Sequence, residues 1–197
     1  MKRIIALVLA MLLALSALGA LAASKSVKID KKNFPDRNFR EQISLNCDFN
    51  GDGKLSASEI KKNGDVNVTD CNIGDVTGIQ LLTNLKYIIV NGNRIKTLDV
   101  SHNTKLQMFV CCYNRLKKIN LGRQKYLHYL DCSANINLKK LDIGKCPKLL
   151  KLFREGKKSA KGDYVLWKIG SDRNKNYLKI PKTCNLYDGS KLLYKGR

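Results

Sequence analysis

Between Leu85 and Asn135 the apolar residues fall at fixed offsets. Leu85, Ile88 and Val90 are followed by Asn93; Leu106, Phe109 and Cys111 by Asn114; Leu127, Leu130 and Cys132 by Asn135, each set 21 residues after the last. The second half of each unit repeats as well: Ile95, Leu98 and Val100 match Leu116, Ile119 and Leu121, then Leu138, Leu141 and Ile143 after a one-residue insertion. A degenerate earlier unit runs through Val66, Val68, Cys71, Ile73, Val76 and Ile79, and a later one opens at Leu149 and Leu152. Within each unit the apolar residues alternate with polar ones, which predicts a short strand with one buried side. One such unit cannot bury its own apolar side, so at least three must stack.

The pattern is L-x-x-L-x-L-x-x-N-x-L, the leucine-rich-repeat signature. It predicts an α/β fold: a leucine-rich-repeat solenoid with a short parallel sheet. Its Asn residues turn inward to satisfy backbone groups where the chain bends. Cys111 and Cys132 share an inward column with Val90, and Cys71 is placed there too. The sequence resembles secreted bacterial proteins with 21-residue repeats of the cysteine-ladder, internalin type. The resemblance spans roughly residues 29–152 and includes Asn33-Phe34-Pro35-Asp36 and Leu98-Asp99-Val100-Ser101, while Ile119-Asn120-Leu121 departs from it. It implies that the ladder cysteines are reduced packing residues. Cys47, Cys112, Cys146 and Cys184 leave any disulfide pairing open.

Before the repeats, Asp48-Phe49-Asn50-Gly51-Asp52-Gly53-Lys54-Leu55-Ser56-Ala57-Ser58-Glu59 fits the twelve-residue EF-hand loop. Asp48, Asn50 and Asp52 offer side-chain oxygens, Lys54 its carbonyl, Ser56 a hydroxyl or a bridging water, and Glu59 a bidentate carboxylate. Gly53 permits the sharp turn, and Leu55 anchors the loop to a neighbour. Asp36 N-caps a preceding helix with Phe39 and Ile43 on one face. A short exit helix is expected over Ser56 to Lys62. The expected cofactor is Ca2+ in a structural role, and the helix-loop-helix is expected to cover the first edge of the sheet. After Phe153, alternation at Val165, at Tyr177-Leu178-Lys179-Ile180 and near Leu186 predicts a small β-rich C-terminal cap. The expected domains are 1–23 signal peptide, 24–65 helical cap, 66–153 repeats and 154–197 β-type cap.

The signal peptide is read from Lys2 and Arg3, the apolar run Ile4 to Leu18, and the small-x-small site Ala20-Leu21-Ala22. It predicts a secreted or cell-surface protein, with membrane contact only through the uncleaved signal. The formal charge of +21 favours anionic partners or solubility alone. Two surfaces are candidate binding sites. Strand residues opposite the core give Tyr87, Ile89, Asn91, Met108, Val110, Cys112, Tyr129, Asp131, Ser133, Lys151 and Phe153. Lys96, Lys117, Lys118, Lys139 and Lys140 form a basic stripe that could carry an anionic polymer or simply be solvated. With only His102 and His128, on different faces, no nucleophile-base or paired-carboxylate arrangement is in view. The expectation is a binding or adhesion module for a protein or glycan ligand, with a structural envelope scaffold as the alternative, no enzyme and no small-molecule substrate.

Overall fold

The computed structural model describes residues 26–161, 164–168, 177–188 and 190–196. Residues 1–23, read as a signal peptide, lie outside them. The repeats form what their alternation requires. Strands β3 (Asp65–Asn67), β4 (Tyr87–Ile89), β6 (Met108–Val110) and β8 (Tyr129–Asp131) lie parallel and in register. Val66, Ile88, Phe109 and Leu130 are aligned partners and all point inward. Leu85, Leu106 and Leu127 each precede a strand by two residues and are fully buried. On the return side, β5 (Thr97–Asp99) pairs in parallel with β7 (Lys118–Asn120), burying Leu98 against Ile119. β9 (Lys140–Asp142) occupies the matching place in the third unit.

Asparagines close each coil. Nδ2 of Asn114 donates to the carbonyls of Val90, Cys111 and Cys112, while its Oδ1 accepts the amide of Ile95. Asn93 and Asn135 repeat the arrangement one coil before and one after. The inward column next to them reads Val68, Val90, Cys111 and Cys132. Val68 and Val90 each donate an amide to the following strand, as do Cys111 and Cys132. Cys71 is not in that column, contrary to expectation. It stands where the first coil would carry its Asn, half-exposed, with Sγ donating to the Thr69 carbonyl. The degenerate first unit is one residue longer than a 21-residue spacing, so Val68 takes the rung instead.

The N-terminal segment contains α1 (Arg37–Cys47) and α2 (Ala57–Lys62). Asp36 Oδ1 accepts the Phe39 amide as N-cap, and Oδ2 accepts the amides of Gly74 and Asp75 in the first coil. Ser56 and Glu59 form a reciprocal capping box at α2. Phe34, Phe39, Ile43 and Leu55 join the repeat interior in a single apolar cluster. Gly78, at φ 108, is required by this docking, because a Cβ there would lie 2.3 Å from the Phe34 ring.

The fourth unit is a helix rather than a strand. Pro147 opens α3 (Pro147–Glu155), which buries Leu149 and Leu152. Lys151 and Phe153 therefore lie on α3 and not among the sheet residues, a correction to the expected binding surface. The chain then forms an antiparallel hairpin, β10 (Lys157–Lys161) with β11 (Tyr164–Lys168), and returns as β12 (Tyr177–Pro181). β12 is parallel to β8, with Leu178 opposite Leu130, and Cys132 donates its amide to Lys179. Ile180 is buried two residues beyond Leu178, continuing the inward column. β13 (Asn185–Asp188) pairs in parallel with β9 and antiparallel with β14 (Lys191–Tyr194).

Candidate functional site

Side chains opposite the core line up across the sheet because its strands are in register. One row is Tyr87, Met108, Tyr129 and Tyr177; the next is Ile89, Val110, Asp131 and Lys179. Tyr87 is 41% exposed, and Met108, Tyr129 and Tyr177 are half-buried. The rings of Tyr129 and Tyr177 meet with centroids 3.8 Å apart. The second row sinks along its length. Ile89 and Asn91 are half-buried, but Val110 and Asp131 are buried, at 9% and 5% exposure. These two are therefore not open ligand contacts as expected.

Hydrogen bonding explains the buried acid. Asp131 Oδ1 accepts the Ser133 amide and hydroxyl, at 3.0 and 2.6 Å, and Oδ2 lies 3.3 Å from Lys179 Nζ. Cys112 Sγ donates to Asn91 Oδ1 at 3.3 Å. Burial, reinforced by the Asp131 charge, pushes the Cys112 thiol up to about 11 against a smaller opposing effect of Lys179. The same two causes, with a further push from Cys112, raise the Tyr129 phenol to about 12. Both groups stay neutral near pH 7, so Cys112 is no thiolate nucleophile. Tyr177 and Lys179 belong to this face but were not placed there from sequence. Their alternation with Leu178 and Ile180 signals a strand, yet its partner lies 48 residues earlier.

The loop at residues 48–59 curls as its glycines allow, with Gly51 at φ 69 and Gly53 at φ 74. Asp48 accepts the amides of Gly51, Asp52 and Gly53; Asn50 accepts that of Asp52; Asp52 accepts that of Lys54. Glu59 is 6% exposed. Its Oε1 accepts the Phe49 amide at 2.9 Å, and its Oε2 accepts the Ser56 hydroxyl at 2.7 Å and amide at 2.8 Å. These bonds, Ser56's above all, hold its carboxyl below the usual range against the opposing effect of burial. The Glu59 side chain thus lies against the loop backbone. Among the described residues, no three His, Cys, Asp or Glu side chains converge as a metal cluster. Leu55 finds its neighbour in a short strand before α1: β2 (Lys54–Leu55) pairs antiparallel with β1 (Val27–Lys28), Leu55 opposite Val27.

The basic stripe is registered too. The Lys117 amide donates to the Lys96 carbonyl, Lys118 pairs with Thr97, and the Asn185 amide donates to the Lys139 carbonyl. Lys96, Lys117, Lys118, Lys139 and Lys140 are all exposed, with Lys140 Nζ 4.5 Å from the Tyr187 ring centre. His102 Nδ1 lies 3.3 Å from Ser101 Oγ, and His128 Nδ1 lies 3.0 Å from the Tyr126 carbonyl.

No family model matches the chain. It is 32% identical over 71 residues to internalin J of Listeria monocytogenes serotype 4b (strain F2365), a stretch that is 36% of this chain and 8% of internalin J. It is also similar to the solved functional domain of InlJ from Listeria monocytogenes, which includes a cysteine ladder. There the TM-score is 0.55 and the identity 29%, over 65% of this chain and 28% of that one. Cys111 and Cys132 are two successive rungs of the same kind. In its coil register and its two buried cysteine rungs the chain is thus similar to internalin J over the stretches matched.

Proposed function

We propose that the chain is an exported binding module that recognises a protein at the cell surface through its sheet face. The row Tyr87, Met108, Tyr129 and Tyr177, partly exposed and in register, carries this reading. Tyr and Met are enriched in protein interfaces, and exposed apolar patches with polar rims mark them. Asn91, Ile89 and the Asp131–Lys179 pair flank that row. In this reading the repeats form a solenoid, closed at one end by the helical segment and at the other by the β10–β14 tail. The test is binding to a panel of purified extracellular proteins. A partner held at high salt is expected, with affinity falling about 10- to 100-fold in a Tyr87→Ala/Met108→Ala double variant. Absence of any salt-tolerant partner, or one indifferent to that double, overturns the reading.

The same proposal gives the 48–59 loop a structural Ca2+. Asp48, Asn50, Asp52, the Lys54 carbonyl, Ser56 and Glu59 form an all-oxygen donor set, which suits calcium. Bound calcium would draw Glu59 from its hydrogen bonds with Ser56 and Phe49 and tie α1 to α2. At about ten times Kd, calcium would stabilise the fold by roughly 1.4 kcal/mol, a Tm rise of about 3–6 °C. A rise of the same size in Glu59→Ala would remove the assignment.

A further inference from the structure

Where α3 departs from the repeat path, it leaves a cleft of about 320 Å³ lined by Arg123, Lys125, Gly144, Lys145 and Pro147. Three of these five residues are cationic and none is acidic. Their convergence follows from the coil register. The Gln124 amide donates to the Lys145 carbonyl at 3.1 Å, which sets the Arg123 and Lys145 turns side by side on neighbouring coils. Arg123, Lys125 and Lys145 are exposed, and among the described residues none makes an ion pair. Three like charges in one recess repel one another, and an anion seated between them relieves that repulsion. Pro147 begins α3, whose N-terminus has no side-chain cap, so the helix dipole adds in the same direction.

We infer that this cleft binds a sulfate or carboxylate group carried on a polysaccharide. The cleft has the volume of a small-ligand pocket, fit for a single charged sugar unit rather than a duplex. From it, β7 and β9 lead back within a few residues to the stripe of Lys117, Lys118, Lys139 and Lys140. Successive coils rise by about 4.8 Å, close to the length of one sugar ring along a chain, so further acidic units meet further lysines. A single-stranded nucleic acid needs a run of exposed rings on which bases stack. Among the described residues that line the cleft none is aromatic, and the ring of neighbouring Tyr126 already faces Lys125 Nζ at 5.4 Å. This surface and ligand class are separate from those of the sheet face, and neither assignment depends on the other.

The test is titration of the chain with a heparin oligosaccharide at physiological salt, alongside single-stranded DNA of equal charge. Two triple variants remove the same charge: Arg123→Gln/Lys125→Gln/Lys145→Gln in the cleft, and Lys96→Gln/Lys117→Gln/Lys139→Gln on the stripe. The cleft triple is expected to lose about 10- to 100-fold in heparin affinity, and the stripe triple clearly less. Equal losses would reduce the effect to net charge and overturn the site, as would no heparin binding at all. DNA bound as tightly, with the same dependence on the cleft, would overturn the polysaccharide assignment. Should the cleft triple not fold, amide shifts in the unmutated chain decide: movement at residues 122–125 and 144–148 supports the cleft, and movement confined elsewhere rejects it.

Discussion

At the scale of single residues, the coils are held by groups that the apolar pattern does not count. Each turn after a strand must reverse direction, which leaves backbone carbonyls inside the molecule without strand partners. Asn114 is buried and serves three carbonyls and one amide on two coils. An alanine there would leave the buried Ile95 amide without a partner, at about 1–3 kcal/mol. The Val90, Cys111 and Cys112 carbonyls would keep Asn93 Nδ2, Asn135 Nδ2 and the Gly92 amide as donors, each losing one bond worth about 0.5–1.5 kcal/mol. We expect Asn114→Ala to lower the unfolding free energy by about 3–5 kcal/mol, read from urea denaturation. A loss below about 1 kcal/mol would mean that the coil ends are satisfied in some other way. The adjoining turn carries a second local constraint. Asp70, Gly92, Tyr113 and Ala134 recur there at equivalent places, and all have positive φ, between 53 and 62°. Only one is glycine, so this turn is fixed by the coil path rather than by the freedom of its residue.

At the scale of elements, α1 is fastened to the first coil by Asn38, whose Nδ2 donates to the Asn72 carbonyl at 3.0 Å, and by its cap, Asp36. Asp36 caps the helix with one oxygen and takes two coil amides with the other. Asp36→Ala should therefore cost about 1–3 kcal/mol, more than a cap alone, whereas Asp36→Asn keeps one acceptor oxygen for the helix cap and should lose less. Hydrogen exchange should quicken in α1 and at residues 74–75 together; quickening in α1 only would show that the coil contact contributes nothing. The three strand-bearing coils were legible in sequence because Leu85, Leu106 and Leu127 repeat at constant spacing. The cap at Asp36 was legible because Pro35 and the Phe39–Ile43 face surround it. α3 was not, since Leu149-x-x-Leu152 satisfies both the repeat and the helical period; Pro147, favoured at a helix's first position, was the signal that favoured the helix. Alternation gives the side of the sheet on which Val110 and Asp131 lie. What buries Asp131 there includes Lys179 on β12, a strand whose pairing partner no local pattern reveals.

At the scale of the molecule, helices, coils and tail share one interior, and thiols are distributed through it. All seven cysteines are unpaired, and six are buried. Burial pushes the thiols of Cys111 and Cys132 well above their ordinary 9.0, and neighbouring Asp131 and cysteines add to it. Burial also raises Cys47, assisted by Asp65, to about 11, and Cys146 and Cys184 to about 12. A thiol whose folded pKa is raised stays protonated in the fold while the unfolded chain ionises. Its contribution is therefore complete below pH 9 and is lost as pH climbs through the folded values. In reducing buffer, stability should be level from about pH 7 to 8.5 and fall between about pH 9 and 10, by roughly 1.4 kcal/mol per pH unit for each thiol held protonated. Val68 and Val90 occupy the same inward column as Cys111 and Cys132, so a Cys111→Val/Cys132→Val variant can pack without a titrating group. Its stability should fall less steeply over that pH range. An identical slope in the two proteins would place the alkaline weakness elsewhere, in surface charge rather than in the ladder.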